Sequence, residues 1–231
     1  MTDPSSLARM PTPTDPVAAR LTEAIHEHRV LPGMKLSEEE VAEVFGVGRT
    51  VARQALRALA HDGLVRIERN RGAFVTQPSV REAREVFEAR ALLEPTTARA
   101  AAGRATPADI DRLAAHLDEE HAALRAGERG RALMLSGQFH VEIARLADQA
   151  TVESFIRQLV SRSSLVIALY WRRQSAMCET HAHHALLDAM GAGDGDRAEE
   201  LMKGHLLDLL SLLDLRDRDR EMPSLREALS S

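Results

Sequence analysis

Residues 38–59, EEEVAEVFGVGRTVARQALRAL, contain two short amphipathic segments separated by a glycine. Small residues stand at Ala42 and Ala52, and Gly46 lies between them. Two helices that cross at close range need small side chains at the contact, and the tight turn between them needs a residue that tolerates positive φ. The stretch therefore predicts a helix-turn-helix.

The flanking residues extend this unit to residues 17–76. Upstream, apolar positions recur at helical spacing until Leu31-Pro32-Gly33 forces a turn. Ser37 and Glu40 have the spacing of a capping box at a helix N-terminus. Downstream, two β-prone runs flank a turn-forming tip at residues 69–72. Three helices and a hairpin predict a winged helix-turn-helix.

A net charge of −5 for the whole chain conceals one basic segment. Between residues 45 and 75 lie six arginines and two carboxylates, a local charge of +4. Arg49, Arg53 and Arg57 are spaced by four, which places them on one side of a helix. A phosphate backbone would respond to this side through counterion release. The alternative interpretation is an amphipathic helix with a solvated arginine face.

The turn glycine, the small crossing residues and the basic hairpin tip occur together, which favours DNA binding over a solvated face. In such motifs the N-terminal end of the second helix faces base edges, and an arginine fork pairs with guanine. A basic tip reaches the minor groove or a phosphate. The predicted DNA contacts are Ser37, Arg49, Thr50, Arg53, Arg57, Arg71 and Gly72.

The rest of the chain is predicted to be helical over residues 79–215. Thr106-Pro107 offers a cap followed by proline at the first helical position, and glycines at residues 191–195 mark a break. About six helices around one core predict an antiparallel bundle, so the fold class is mainly α. Prolines in residues 1–16 predict a disordered leader, and alternating charges in residues 216–231 predict a solvated tail.

Composition narrows the class of protein further. Aromatic residues make up 3% of the chain, which favours helices over sheets. The single cysteine excludes an internal disulfide framework and fits a reducing compartment. No apolar run approaches the roughly 20 residues that a membrane span needs, and the N-terminus lacks an apolar signal core. We expect a cytoplasmic, nucleoid-associated protein with no membrane partner.

Five motifs in the N-terminal region occur in a fixed order. They are LPGMKL (31–36), VAE (41–43), GVGRTVARQAL (46–56), DGLV (62–65) and RGAFV (71–75). Together they resemble the GntR family of bacterial regulators over about residues 17–76. The family usually has serine and proline where this chain has Gly48 and Val51, and some relatives have arginine in place of Glu39. The resemblance implies operator binding, whereas the departures leave the operator sequence open.

His140, His183 and His205 belong to three separate predicted helices, and spacing alone does not show that they meet. The run VFEARALLEP (86–95) and the contexts of these histidines resemble the FCD sensor domain of the FadR subfamily, over about residues 80–213. Many members bind a divalent metal with three histidines and an aspartate four residues before the first. Here that position is Ser136.

The resemblance implies a zinc or nickel site at these three histidines, since imidazoles suit such metals. Three protein ligands leave positions that a carboxylate effector or water fills. The alternative is a metal-free polar pocket. Arg90 resembles an arginine that faces the FCD cavity, although it is also spaced to pair with Glu94. Gln138 and Arg162 are weaker effector-binding candidates.

Taken together, the residues predict a ligand-responsive transcription regulator that binds a palindromic operator as a homodimer. Repression that a small carboxylate relieves is the commonest behaviour in the family. We therefore expect a repressor that leaves its operator when such an effector binds. One alternative is a regulator whose signal is the metal itself. Another is a three-histidine zinc hydrolase, which would need a general base near the metal. Glu142, two residues from His140, is directed elsewhere on its helix, which disfavours the hydrolase.

Overall fold

The computed structural model describes residues 14–171 and 177–215. The N-terminal elements are α1 (Thr14–His26), β1 (Lys35–Leu36), α2 (Glu38–Phe45), α3 (Arg49–His61), β2 (Val65–Glu68) and β3 (Gly72–Val75). Strand β3 lies between β1 and β2 and pairs antiparallel with both. This is the predicted winged helix-turn-helix, and β1 adds a strand to the hairpin that the sequence predicted.

Local capping explains where the helices of this unit begin and end. The Ser37 hydroxyl accepts a hydrogen bond from the Glu40 amide at 3.1 Å, which caps α2. Gly46 ends α2 with a φ of 63°, a left-handed conformation that glycine adopts without strain. Helix α1 begins at Thr14, so the predicted leader is wrong for residues 14–16. The remainder of that leader lies outside the described residues.

Six helices follow in the described part of the C-terminal region. They are α4 (Val80–Ala102), α5 (Pro107–Ala126), α6 (Arg129–Leu146), α7 (Ala150–Tyr170), α8 (Met177–Gly191) and α9 (Gly195–Ser211). Capping boxes start α4 at Ser79 and α5 at Thr106, each with an acidic residue three positions later. The mainly helical fold class is confirmed. The predicted tail, residues 216–231, falls outside the described residues.

Each region has its own apolar core, and one side chain of the helical bundle packs into the N-terminal core. The N-terminal core is formed by side chains such as Leu21, Leu36 and Leu64, all fully buried. The largest side chains of the bundle core include Phe87 and Phe139. Leu165 of α7 is also fully buried, but it packs into the N-terminal core. In the described residues, no helix is long and apolar enough to cross a membrane.

Candidate functional sites

The arginine row lies on the exposed surface of α3. Arg49, Arg53 and Arg57 are all solvent-exposed, and the opposite side of the helix buries Ala52, Leu56 and further small apolar residues. The side chains of Arg49 and Arg53 are 68% and 53% exposed. A cationic stripe therefore faces outward while the apolar side fixes the helix against the domain.

Two carboxylates at the start of α2 hold the row in place, and sequence reasoning missed this arrangement. Arg49 donates to Glu39 at 2.6 Å, and Arg53 donates to both oxygens of Glu38 at 2.7 and 2.8 Å. The hydrogen bond from Arg53 lowers the pKa of Glu38. An anion that binds this row would have to compete with these exposed carboxylates for the arginines, at a modest cost because surface ion pairs are weak.

The other predicted DNA contacts lie at the ends of elements. Thr50 is exposed beside Arg49, and Ser37 is half-buried because its hydroxyl caps α2. Gly72 begins β3 with a φ of 101°, which a larger residue would not tolerate. The Arg71 side chain is 71% exposed, pairs with Glu68 at 2.5 Å and lies over the Phe74 ring. The wing thus presents a cation at its tip.

His140 on α6, His183 on α8 and His205 on α9 converge inside the bundle. Their exposed fractions are 3%, 0% and 6%. Each offers one ring nitrogen to a common point, and these nitrogens lie within 4.8 Å of one another. Nε2 of His183 and Nε2 of His205 are 3.3 Å apart. The fold therefore assembles side chains that the sequence separates by up to two helices.

Two buried carboxylates set the orientation of these rings. Glu94 on α4 accepts a hydrogen bond from Nδ1 of His140 at 2.6 Å. Glu120 on α5 accepts from Nδ1 of His183 at 3.3 Å. When Nδ1 donates, Nε2 carries the lone pair, so both rings present an acceptor nitrogen to the centre. Glu120 was missed from the sequence, since it stands 63 residues before its partner.

Arg90 has both of the roles considered for it. Its Nε donates to Glu94 Oε1 at 2.5 Å and its Nη1 donates to Ser163 at 3.0 Å, so the ion pair is present and buried. Arg90 also lines the internal cavity. Burial is the largest single influence on the pKa of Glu94 and raises it, but the charges and hydrogen bonds of Arg90 and His140 together outweigh burial and lower the pKa to about 2. The pair therefore stays ionised.

Burial also favours the neutral form of two of these histidines, His140 and His205. It lowers the pKa of His140 to about 4, although Glu94 opposes the shift. It lowers the pKa of His205 well below the usual value, and His183 and His140 add to this effect. Neutral imidazoles are metal ligands, whereas imidazolium ions are not. His140 and His205 are therefore ready to coordinate without losing protons.

One pair in the trio has the spacing of two ligands on a tetrahedral metal. Zinc–nitrogen bonds are about 2.0–2.1 Å, so two ligand nitrogens at a tetrahedral angle stand about 3.3 Å apart. His183 and His205 have that separation. The orienting carboxylates are the outer partners that metal-bound histidines usually have. The residues present therefore fit a divalent metal, and Ser136 supplies no fourth charged ligand.

A cavity of about 850 Å³ opens beside the trio. Arg90, Ser136, Gln138 and His140 all line it. Arg162 is not among its lining residues, and its Nε lies 3.5 Å from where a Cβ on Gly63 would stand. The assignment of Arg162 to the effector site is thus corrected, because its position on α7 turns it toward the N-terminal domain.

Comparison with known proteins agrees with these two regions. The family model described as bacterial regulatory proteins of the gntR family matches residues 13–75, and the FCD domain model matches residues 85–208. The transcriptional repressor RspR of Escherichia coli K12 is 27% identical over 202 residues, covering 85% of this chain and 89% of RspR. The Uxu operon transcriptional regulator of the same strain is 31% identical over 187 residues, covering 74% and 69%.

Solved structures show the same architecture. A GntR regulator from Rhodococcus sp. RHA1 is 26% identical, with a TM-score of 0.75 over 86% of this chain and 95% of that one. Escherichia coli McbR/YncC, 20% identical, shares the fold with a TM-score of 0.77 over 87% and 97%. The matched domains and relatives are transcription regulators, which decides against the hydrolase. The chain belongs to the GntR family of bacterial transcription regulators and carries a C-terminal FCD domain.

Proposed function

We propose that this regulator binds a palindromic operator as a homodimer and is controlled by a carboxylate effector that binds beside a divalent metal in the FCD domain. The observation that carries the proposal is the convergence of three buried imidazoles, one of which, His140, lines a cavity. Repression relieved by the effector is the direction we expect.

The metal would be held by His140, His183 and His205, with Glu94 and Glu120 fixing the ring orientations. Zinc or nickel suits three imidazoles. When bound, the metal supplies open coordination positions for a carboxylate. In this chain Ser136 replaces a possible fourth charged ligand, so the site keeps room for an anion. Gln138, on the cavity wall, would donate or accept a hydrogen bond to the remainder of the effector.

DNA recognition would fall to the exposed end of α3 and to the wing. Arg49 and Thr50 stand at the N-terminal end of α3, where a recognition helix meets base edges. Arg53 and Arg57 continue the row toward phosphates, and Arg71 at the wing tip reaches the neighbouring groove. In a homodimer, two such heads would contact half-sites in successive major grooves.

The first test is metal content per protomer, measured by plasma mass spectrometry on protein without a histidine tag. We expect about one zinc or nickel per wild-type protomer and almost none in His183→Ala. His121→Ala is the matched control, because His121 is a half-buried histidine on α5 outside the trio. If the wild-type protein contains no metal even after zinc is added back, the metal site is wrong and the alternative of a metal-free polar pocket remains.

A second measurement separates the effector from the metal as the signal. DNA fragments selected from the source genome by the purified protein would be titrated with zinc alone and then with zinc plus small carboxylates. We expect release only when a carboxylate is present, because a ligand shifts the equilibrium only by its differential affinity for two states. Release or tightening by zinc alone would instead indicate a metal-responsive regulator.

A further inference from the structure

The cavity beside the histidine trio crosses the boundary between the two domains. Its wall includes Ser136 and His140 of the bundle, and also Thr22, His26 and Asp62 of the DNA-binding domain. A molecule that fills the cavity therefore contacts the DNA-binding domain directly. No displacement of the bundle helices is needed to bring the ligand and the DNA-binding domain together.

The boundary is a packed interface, so the DNA-binding part of the wall has a fixed position. His28 Nε2 donates to the Ser164 carbonyl oxygen at 3.1 Å. Gly130 at the start of α6 approaches the α1 end so closely that an added Cβ would stand 1.9 Å from the Glu27 carbonyl oxygen. Leu165 inserts into the core of the DNA-binding domain. A ligand would meet this wall in one geometry.

One polar atom on that wall has no hydrogen-bond partner among the described residues. His26 Nε2 is buried and unpaired. A buried polar group without a partner is costly, so such an atom calls for an explanation. Since His26 lines the cavity, a ligand group placed there would supply the missing hydrogen bond.

The chemistry of His26 selects the kind of group. Burial lowers the pKa of His26 to about 4, and His28 adds to the shift. The ring is therefore neutral near pH 7 and offers one donor and one acceptor nitrogen. Asp62 on the same part of the wall disfavours a second carboxylate there. A hydroxyl, which donates or accepts as needed, is the group that fits.

The volume of the cavity is several times larger than the volume of a small carboxylic acid. A three-carbon carboxylate displaces on the order of five waters, about 150 Å³ at roughly 30 Å³ per water. The cavity holds about 850 Å³. Serine and glutamine side chains, including Gln158 and Ser161, also line the cavity and offer hydrogen bonds to a ligand. An extended, hydroxylated chain uses this space, whereas a short acid leaves most of it to water.

We propose that the effector is a polyhydroxylated carboxylate that spans the two domains, its carboxylate beside the histidine trio and a distal hydroxyl hydrogen-bonded to His26. The inference rests on the proposed function, because it assumes that the trio anchors the carboxylate. It adds a second subsite, formed by the DNA-binding domain. When the ligand occupies that subsite, the orientation of the DNA-binding domain depends on ligand binding.

The test is isothermal titration calorimetry on the full, zinc-loaded chain. The probes are D-gluconate and D-glucuronate, which carry a hydroxylated tail, and L-lactate, which is too short to span the cavity. The variants are His26→Ala, His26→Gln and His183→Ala. His61→Ala is the control, because His61 is an exposed histidine of the same domain outside the cavity. Thermal unfolding shows that each variant is folded.

We expect His26→Ala to weaken binding of the sugar acids about tenfold, the effect of one lost hydrogen bond. His26→Gln should recover part of the loss, and L-lactate binding should not change. His183→Ala should weaken every carboxylate. If binding requires His183 but ignores His26, or if His26→Ala weakens lactate equally, the bridging inference is wrong and the proposed function stands. If no carboxylate binds the wild type, both are wrong.

Discussion

Gly130→Ala should loosen the contact between the two domains. The added Cβ would stand 1.9 Å from the carbonyl oxygen of Glu27, 2.7 Å from its carbonyl carbon and 2.9 Å from its Cα. All three are backbone atoms, so no side-chain rotation relieves the clash. Even the shortest distance that real Cβ atoms tolerate, 3.0 Å, requires the end of α1 and the start of α6 to separate by about 1.1 Å.

The cost follows from what such a separation breaks. Overpacking a well-packed site costs about 1–3 kcal/mol. The same shift stretches the bond between His28 and Ser164, which stands at 3.1 Å, and partly withdraws Leu165 from its core. Alanine favours a helix over glycine by up to about 1 kcal/mol, which offsets part of this loss. We therefore expect a net destabilisation of about 1–2 kcal/mol.

Gly204→Ala provides the matched control. Gly204 also lies within a helix, α9, and an added Cβ there meets nothing within 4 Å. That substitution should stabilise the protein by about 0.5–1 kcal/mol, because it removes only the entropic penalty of glycine. The two glycine-to-alanine changes should therefore have opposite signs.

The assay is thermal and urea unfolding followed by circular dichroism. For a chain of this size, 1 kcal/mol corresponds to about 2–4 °C in Tm. Gly130→Ala should unfold several degrees below wild type, and limited proteolysis should cut first near the α1–β1 turn. If Gly130→Ala proves as stable as Gly204→Ala, the close approach of α1 and α6 is not present in solution. The DNA-binding part of the cavity wall would then have no fixed position.

Three further predictions test other parts of the molecule. Glu120→Gln should weaken zinc binding about 10–100-fold, measured by chelator competition, because His183 loses the carboxylate that orients its ring; unchanged affinity would exclude that role. Glu38→Gln should release Arg53 for a phosphate and make the salt dependence of DNA binding steeper by about 0.9 in log–log slope, measured by fluorescence anisotropy. An unchanged slope would mean that Arg53 stays off the backbone. Because the pKa of His26 falls from 6.5 unfolded to about 4 folded, the unfolded state binds more protons between these pH values. Stability should thus fall by up to about 3 kcal/mol from pH 6.5 to 4, and urea titrations of His26→Leu should show a shallower decline.

Local signals in the sequence predicted most of the fold. The cap at Ser37, the turn at Gly46 and the start of α5 at Thr106-Pro107 each depend on a few adjacent residues, and each stands where it was predicted. Strand β1 was missed because it has only two residues, which pair with β3 residues 37 and 39 positions away in the sequence. A segment that short has no periodicity of its own.

The sites were harder to predict because their parts meet only after folding. The family resemblance named the three histidines, but nothing in the sequence brings Glu94 to His140, 46 positions away. The pairs between α2 carboxylates and α3 arginines likewise arise from the angle at which the two helices cross. That Arg162 lies away from the cavity was not predictable, because the side of a helix that faces a cavity is known only once the packing partners of the helix are known.

The buried charges bear on how the proposed site, which lacks the usual aspartate, would suit an anionic effector. Among the described residues, the formally charged side chains that are fully buried are Arg90, Glu94 and Glu120. These three side chains sum to one negative charge. A divalent metal would raise the site to +1, and a bound carboxylate would bring it to neutrality. An aspartate at residue 136 would complete that neutrality by itself and leave the anion uncompensated, at a high cost in a dry interior. Serine at position 136 would therefore leave one positive charge that the carboxylate of the effector neutralises. Ser136→Asp should tighten metal binding while weakening the binding of every carboxylate probe.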